Sequence, residues 1–207
     1  MTAAQTQLYK FTTGEKSGIT SFTTNLQRTS VTVYREVGDG LFAKIATQER
    51  VKVYGDDGAT RVDEVFDSDP NSTYYFSVTA NKGGEIECWT SVHEVDTTNN
   101  DFSGATELAV GWSGGYIDYQ ALNSVDPVDC YRFTIDKSGT YDILVDVSWF
   151  GNVKQTIYDG SYRQIDSSTQ TKTSGYTEKY LAAGVYYLKF EATGARGAYA
   201  NVSIGLA

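Results

Sequence analysis

"CYRFTIDKSG", Cys130–Gly139, decides the fold because the chain says it twice: "LYKFTTGEKSG", Leu8–Gly18, is the same phrase with one residue inserted. Both read aromatic, basic, Phe, Thr and then a Lys-Ser-Gly turn. Working outward, "VTVY" ending at Tyr34 lies against "QTIY" ending at Tyr158, and "GLFAKI" from Gly40 against "GSYRQI" from Gly160. "YYFSVTANKGGEIECWTSV", Tyr74–Val92, then runs without a gap against "YYLKFEATGARGAYANVSI", Tyr186–Ile204. Four blocks in one order mark an internal repeat.

Each block alternates with the period of two that a half-buried strand requires. Tyr141, Ile143, Val145, Val147 and Trp149 share one face of their strand, and Tyr186, Leu188, Phe190 and Ala192 share one face of theirs. Tyr74, Phe76, Val78 and Ala80 repeat that second layout in the first copy. The pattern predicts an all-β protein of two tandem antiparallel β-sandwich, jelly-roll-like domains over residues 1–96 and 97–207. The stretch from Asp126 to Val145 reads as a core strand followed by a hairpin at Ser138-Gly139. The boundary falls in "HEVDTTNND", His93–Asp101, where polar turn residues interrupt the alternation. A lead-in, "FSGATELAVGWSGGYIDYQAL", precedes the second copy and has no counterpart ahead of Tyr9. The expectation is a divergent or truncated first copy, within a longer polypeptide fused to other domains.

Composition agrees. With 16 Tyr and 20 Gly but only 2 Pro and 1 Met, the 207 residues suit short strands and polar turns. The net charge of −9 is spread over both copies without a basic patch, which disfavours nucleic acid and anionic membranes as partners. No apolar run reaches the ~20 residues that span a bilayer, so membrane insertion is not expected.

From Asn99 onward the chain resembles the bacterial pre-peptidase C-terminal domain family, β-sandwich modules related to the collagen-binding domains of clostridial collagenases. "NNDFSGATELAVG" (Asn99–Gly111), "DPVDCYRF" (Asp126–Phe133), "SGTYDILV" (Ser138–Val145) and "LAAGVYYLKF" (Leu181–Phe190) carry the resemblance, in the family's order. Cys130 stands where the family usually has Trp, and Asp126 is one place early. The resemblance implies an extracellular or cell-surface accessory module without catalysis of its own, with calcium held near the Asn/Asp-rich lead-in and a polymer bound by surface aromatics. A spacer that only sets distance within an adhesin-like or particle-associated protein is the alternative.

Asn100, Asp101, Asp126 and Asp129 supply the oxygen ligands a hard cation wants, so calcium is the expected cofactor, with turn chemistry as the competing role for these residues. Tyr75 and Tyr187, at equivalent outward positions, and Trp149-Phe150, at a strand tip, are the candidates for stacking on a glycan or collagen-like polymer. "DSDPN", Asp67–Asn71, starts like an EF-hand loop but lacks Gly at Ser72 and Glu at Val78, so it reads as an acidic loop. "GWSGG", Gly111–Gly115, matches the nucleophile-elbow pattern, but the single His of the chain, His93, lies upstream and the next residues alternate like a strand; Ser113 is read as a turn residue. Cys88 and Cys130, the two cysteines, either pair or act as small apolar residues.

Overall fold

Alternation in the sequence becomes strand after strand in the computed structural model, which describes residues 5–24, 29–45, 51–54, 60–80, 87–111, 117–148, 152–171, 175–193 and 198–207. No helix occurs among them. Trp149, Phe150 and Ser113 lie outside the described residues. The chain divides into two compact units, Met1–Glu94 and Val95–Ala207.

Unit 1 holds β1 (Gln5–Thr12), β2 (Gly18–Thr24), β3 (Thr29–Gly38), β4 (Leu41–Lys44), β5 (Val51–Tyr54), β6 (Thr60–Ser68), β7 (Thr73–Ala80) and β8 (Cys88–Glu94). They form two four-stranded sheets, β1-β7-β3-β4 and β5-β6-β2-β8. Phe22 of β2 stacks on Phe76 of β7 with ring centroids 4.2 Å apart, so the sheets meet face to face. Val33, Tyr74, Phe76 and Val78 are fully buried there, each one residue away from a partly exposed neighbour.

Unit 2 holds β9 (Thr106–Glu107), β10 (Ile117–Leu122), β11 (Val128–Ile135), β12 (Gly139–Ser148), β13 (Asn152–Asp159), β14 (Gln164–Thr171), β15 (Gly175–Leu181), β16 (Gly184–Thr193) and β17 (Ala198–Leu206). Its sheets run β10-β17-β12-β15 and β14-β13-β16-β11-β9. The core joins Phe133, Ile157, Leu188 and Phe190 of the second sheet with Ile143, Val145, Val202 and Ile204 of the first.

The Lys-Ser-Gly corner does not close a hairpin. β11 and β12 lie in opposite sheets, as do β1 and β2. The reason is that both flanking strands carry an apolar face, Phe133 and Ile135 on one and Tyr141 and Ile143 on the other, and folding over buries all four against each other. Tyr141 Oη donates to the Lys137 carbonyl at 2.8 Å and pins the arch.

The repeat survives in register. Lys10 pairs with Tyr75 and Tyr75 with Tyr34 in unit 1. Arg132 pairs with Tyr187 and Tyr187 with Tyr158 in unit 2. The lead-in supplies what the described residues of unit 1 lack: β9 runs parallel to the outer edge of β11, and β10 pairs with β17.

Candidate metal centre and aromatic faces

Local chemistry brings three carboxylates together at the mouth of β11. Asn123 Oδ1 accepts from the backbone N–H groups of Val125 and Asp126, a turn that aims Asp126 inward just before the strand starts. Asp129 follows on the strand itself, 1% exposed. The lead-in crosses the same point, tied down where Cys130 N donates to the Asn99 carbonyl at 2.6 Å. Asp96, Asp126 and Asp129 thereby each place a carboxylate oxygen within 4.8 Å of the others. Two oxygens on opposite sides of a calcium ion at about 2.4 Å are about that far apart.

Electrostatically the cluster is unbalanced. Among the described residues none of the three carboxylates enters an ion pair. Asp126 is 0% exposed, and neither of its carboxylate oxygens has a hydrogen-bond partner. Burial first, then the charge of Asp96, pushes its pKa up to about 6, although the Asn100 side chain, near enough for a weak polar contact but outside hydrogen-bond geometry, pulls the other way. Burial, with the charges of Asp126 and Asp96, pushes Asp129 up to about 7, despite a hydrogen bond from Tyr131 Oη to Oδ2 at 3.3 Å.

Asn99 is the fourth member. Its buried side-chain amide lies 3.0 Å from Asp129 Oδ1 and 2.8 Å from Asp96 Oδ1. With nitrogen turned inward it donates to both; with oxygen turned inward it adds a fourth oxygen ligand. A hard, oxygen-seeking cation fits this donor set, whereas zinc or copper would want the His or Cys that the cluster lacks.

Of the four residues expected to bind metal, Asp126 and Asp129 meet in the cluster and exposed Asn100 stands beside Asp126. Asp101 turns elsewhere: its Oδ1 accepts from Ser103 N, Ser103 Oγ and Gly104 N, the turn chemistry open to any Asp at a loop start. Asp96 and Asn99 take its place. Both lie in "HEVDTTNND", whose richness in oxygen donors was the available signal. The fold of this loop is tight, since a Cβ on Gly104 would lie 2.4 Å from the Thr98 carbonyl oxygen. The EF-hand-like "DSDPN" is a β6–β7 corner, with Asp69 paired to Arg35 and Asn71 in the left-handed region at φ 49°.

The two outward tyrosines have different surroundings. Tyr187 is 9% exposed because Phe102 of the lead-in lies on it, with ring centroids 5.2 Å apart, and Tyr162 flanks it at 5.1 Å. As a stacking platform it is covered. Phe102 also stacks on Tyr162 and meets Tyr158 edge-on. Tyr162 adopts φ 62° to reach this place, a conformation that bulky residues rarely take. Tyr75 is half-buried and borders an open cavity of about 270 Å³ with Leu8, Tyr34 and Phe42. Phe42 meets it edge-on at 5.0 Å, and Tyr75 Oη donates to Glu36 Oε2 at 3.2 Å.

Both thiols are free: Cys88, half-buried in unit 1, and Cys130, buried in unit 2. Burial pushes the Cys130 pKa up to about 11, which leaves the thiol protonated and unreactive at neutral pH. Comparison of the sequence with protein-family models and with curated proteins finds no match.

Proposed function

We propose that the chain is a non-catalytic accessory module of an exported or surface protein, of the pre-peptidase C-terminal type, that attaches its parent to a polymer. In this reading calcium fastens the lead-in to the second sandwich. The observation that carries it is Asp126, buried with both carboxylate oxygens unpartnered beside two further carboxylates. A buried, unpaired charge costs several kcal/mol, and a divalent cation removes that cost. Asp96 and Asn99 precede β9 while Asp126 and Asp129 open β11, so one ion would join segments about 30 residues apart and hold Phe102 on its aromatic bed. The polymer-facing surface in this reading is the Tyr75 cavity of unit 1.

Calorimetric titration of EDTA-stripped protein with calcium tests the reading. The expected result is one site with a Kd of about 10⁻⁴–10⁻³ M, as for extracellular modules. Asp126→Asn and Asp129→Asn should abolish the heat. A flat titration up to 10 Kd of that range with the unsubstituted chain would end the calcium reading.

A further inference from the structure

Among the described residues the two units offer the same aromatic bed in two conditions, one filled and one open. In unit 2, Tyr158, Tyr162 and Tyr187 surround Phe102. In unit 1, Tyr34 and Tyr75 hold the register positions of Tyr158 and Tyr187. Phe42, aligned with Tyr162 in the repeat, again sits against the central tyrosine, and the space that Phe102 would fill is the open cavity. The backbone shows the same contrast. The edge of β11 is covered by β9, with Leu108 N donating to the Arg132 carbonyl at 2.7 Å, whereas among the described residues β1 ends its sheet. Leu8 is 71% exposed, and its repeat partner Cys130, under the lead-in, is 1% exposed.

Charge extends the match. Five residues after Phe102, Glu107 forms an ion pair with Arg132. Lys10 holds the position of Arg132 in unit 1, exposed, with its ammonium 5.9 Å from the centre of the Tyr75 ring. An added strand with an acidic residue five places after its aromatic would meet a cation there, as the lead-in does.

We infer that unit 1 is a receptor for an extended peptide segment of another polypeptide, which adds in parallel to the edge of β1 and seats an aromatic side chain between Tyr34, Phe42 and Tyr75. The recognised pattern is aromatic, four mostly small residues, then Asp or Glu. Main-chain hydrogen bonds along the edge supply affinity and the ring and carboxylate supply selection, the logic of β-strand addition. The inference rests on the reading of the chain as a binding module and identifies its polymer as protein. It does not rest on calcium, since Asp96, Asp126 and Asp129 all belong to unit 2.

The test uses the full chain, ¹⁵N-labelled, titrated with a synthetic peptide of the sequence Asn99–Gly111, once in calcium and once in EDTA. Saturable binding in both buffers is expected, with resonance shifts centred on Leu8, Lys10, Tyr34, Phe42 and Tyr75. The same peptide with its Phe replaced by Ala should bind at least 10-fold more weakly, and with its Glu replaced by Lys several-fold more weakly. Leu8→Glu and Phe42→Ala in the protein, at side chains more than half exposed and so neutral to folding, should weaken binding at least 10-fold. Four results would each overturn the inference: no saturation at 1 mM peptide, equal binding of the Phe-to-Ala peptide, shifts confined to unit 2, or displacement of Tyr75-centred binding by an oligosaccharide. Self-association that shifts these same resonances without peptide would overturn it too, by making the groove an interface between copies. Loss of the calcium heat with intact peptide binding would sink only the metal reading.

Discussion

Asp129→Asn should stabilise unit 2 in EDTA at pH 8 and lose most of that advantage over the unsubstituted chain in calcium. The sign follows from the cluster. In the fold Asp129 titrates at about 7 and Asp126 at about 6, both above the ordinary 3.8 of an exposed Asp. A carboxyl whose pKa is raised by folding contributes full stability below the unfolded value, and that contribution disappears as pH rises through the folded value. Calcium-free protein should therefore lose stability between about pH 4 and pH 7, by roughly 3–4 kcal/mol per group from the size of the shifts. Asparagine keeps the shape of the side chain and removes the charge, so the variant should lose most of this pH dependence and melt at least about 5 °C higher at pH 8 in EDTA. Calcium closes most of that gap. At 100 times Kd it stabilises the native protein by about 2.7 kcal/mol, and a variant with a ligand missing gains little. Melting curves of both proteins at pH 4.5 and 8, each with calcium and with EDTA, check the prediction. A variant that is less stable in all four conditions would show Asp129 to be structural in the ordinary sense.

Phe76→Ala should unfold unit 1 in the range where the native chain is folded. The side chain is fully buried, stacks on Phe22 and lies 6.1 Å from the Phe66 ring. Truncating such a residue costs about 3–5 kcal/mol, a large part of the 5–15 kcal/mol that holds a typical domain together. Among the described residues the buried cluster around it comprises Phe22, Val31, Val33, Phe66, Tyr74, Phe76 and Val78. Every one of these residues belongs to unit 1, so amide signals of Val95–Ala207 should keep their native dispersion. Two-dimensional NMR of the variant at 25 °C decides this, and loss of dispersion across both units would contradict it.

Much of the fold was readable because strands write themselves locally. Tyr74, Phe76 and Val78 on one face and Tyr186, Leu188 and Phe190 on another are buried as alternation requires. The arch at Ser138-Gly139 was not readable, because a turn sequence does not say whether the next strand returns in the same sheet or crosses to the other. The metal cluster was half visible. Asp126 and Asp129 are neighbours along the chain, whereas Asp96 reaches them only because the lead-in folds back over Cys130. The exchange of Asp101 for Asn99 has a similar origin, since outside regular strands no period fixes where a side chain points. Tyr187 shows the limit most simply: alternation turns it outward, and a phenylalanine 85 residues earlier covers it.

Cys130 gives this arrangement a gauge. Its backbone N–H holds the lead-in at the Asn99 carbonyl and its side chain is buried, while Cys88, in the other unit, is half-buried. A thiol reagent reaches Cys130 only when the lead-in lifts. The ratio of the two labelling rates therefore follows the fraction of time the lead-in spends undocked, without any foreign probe built into the chain.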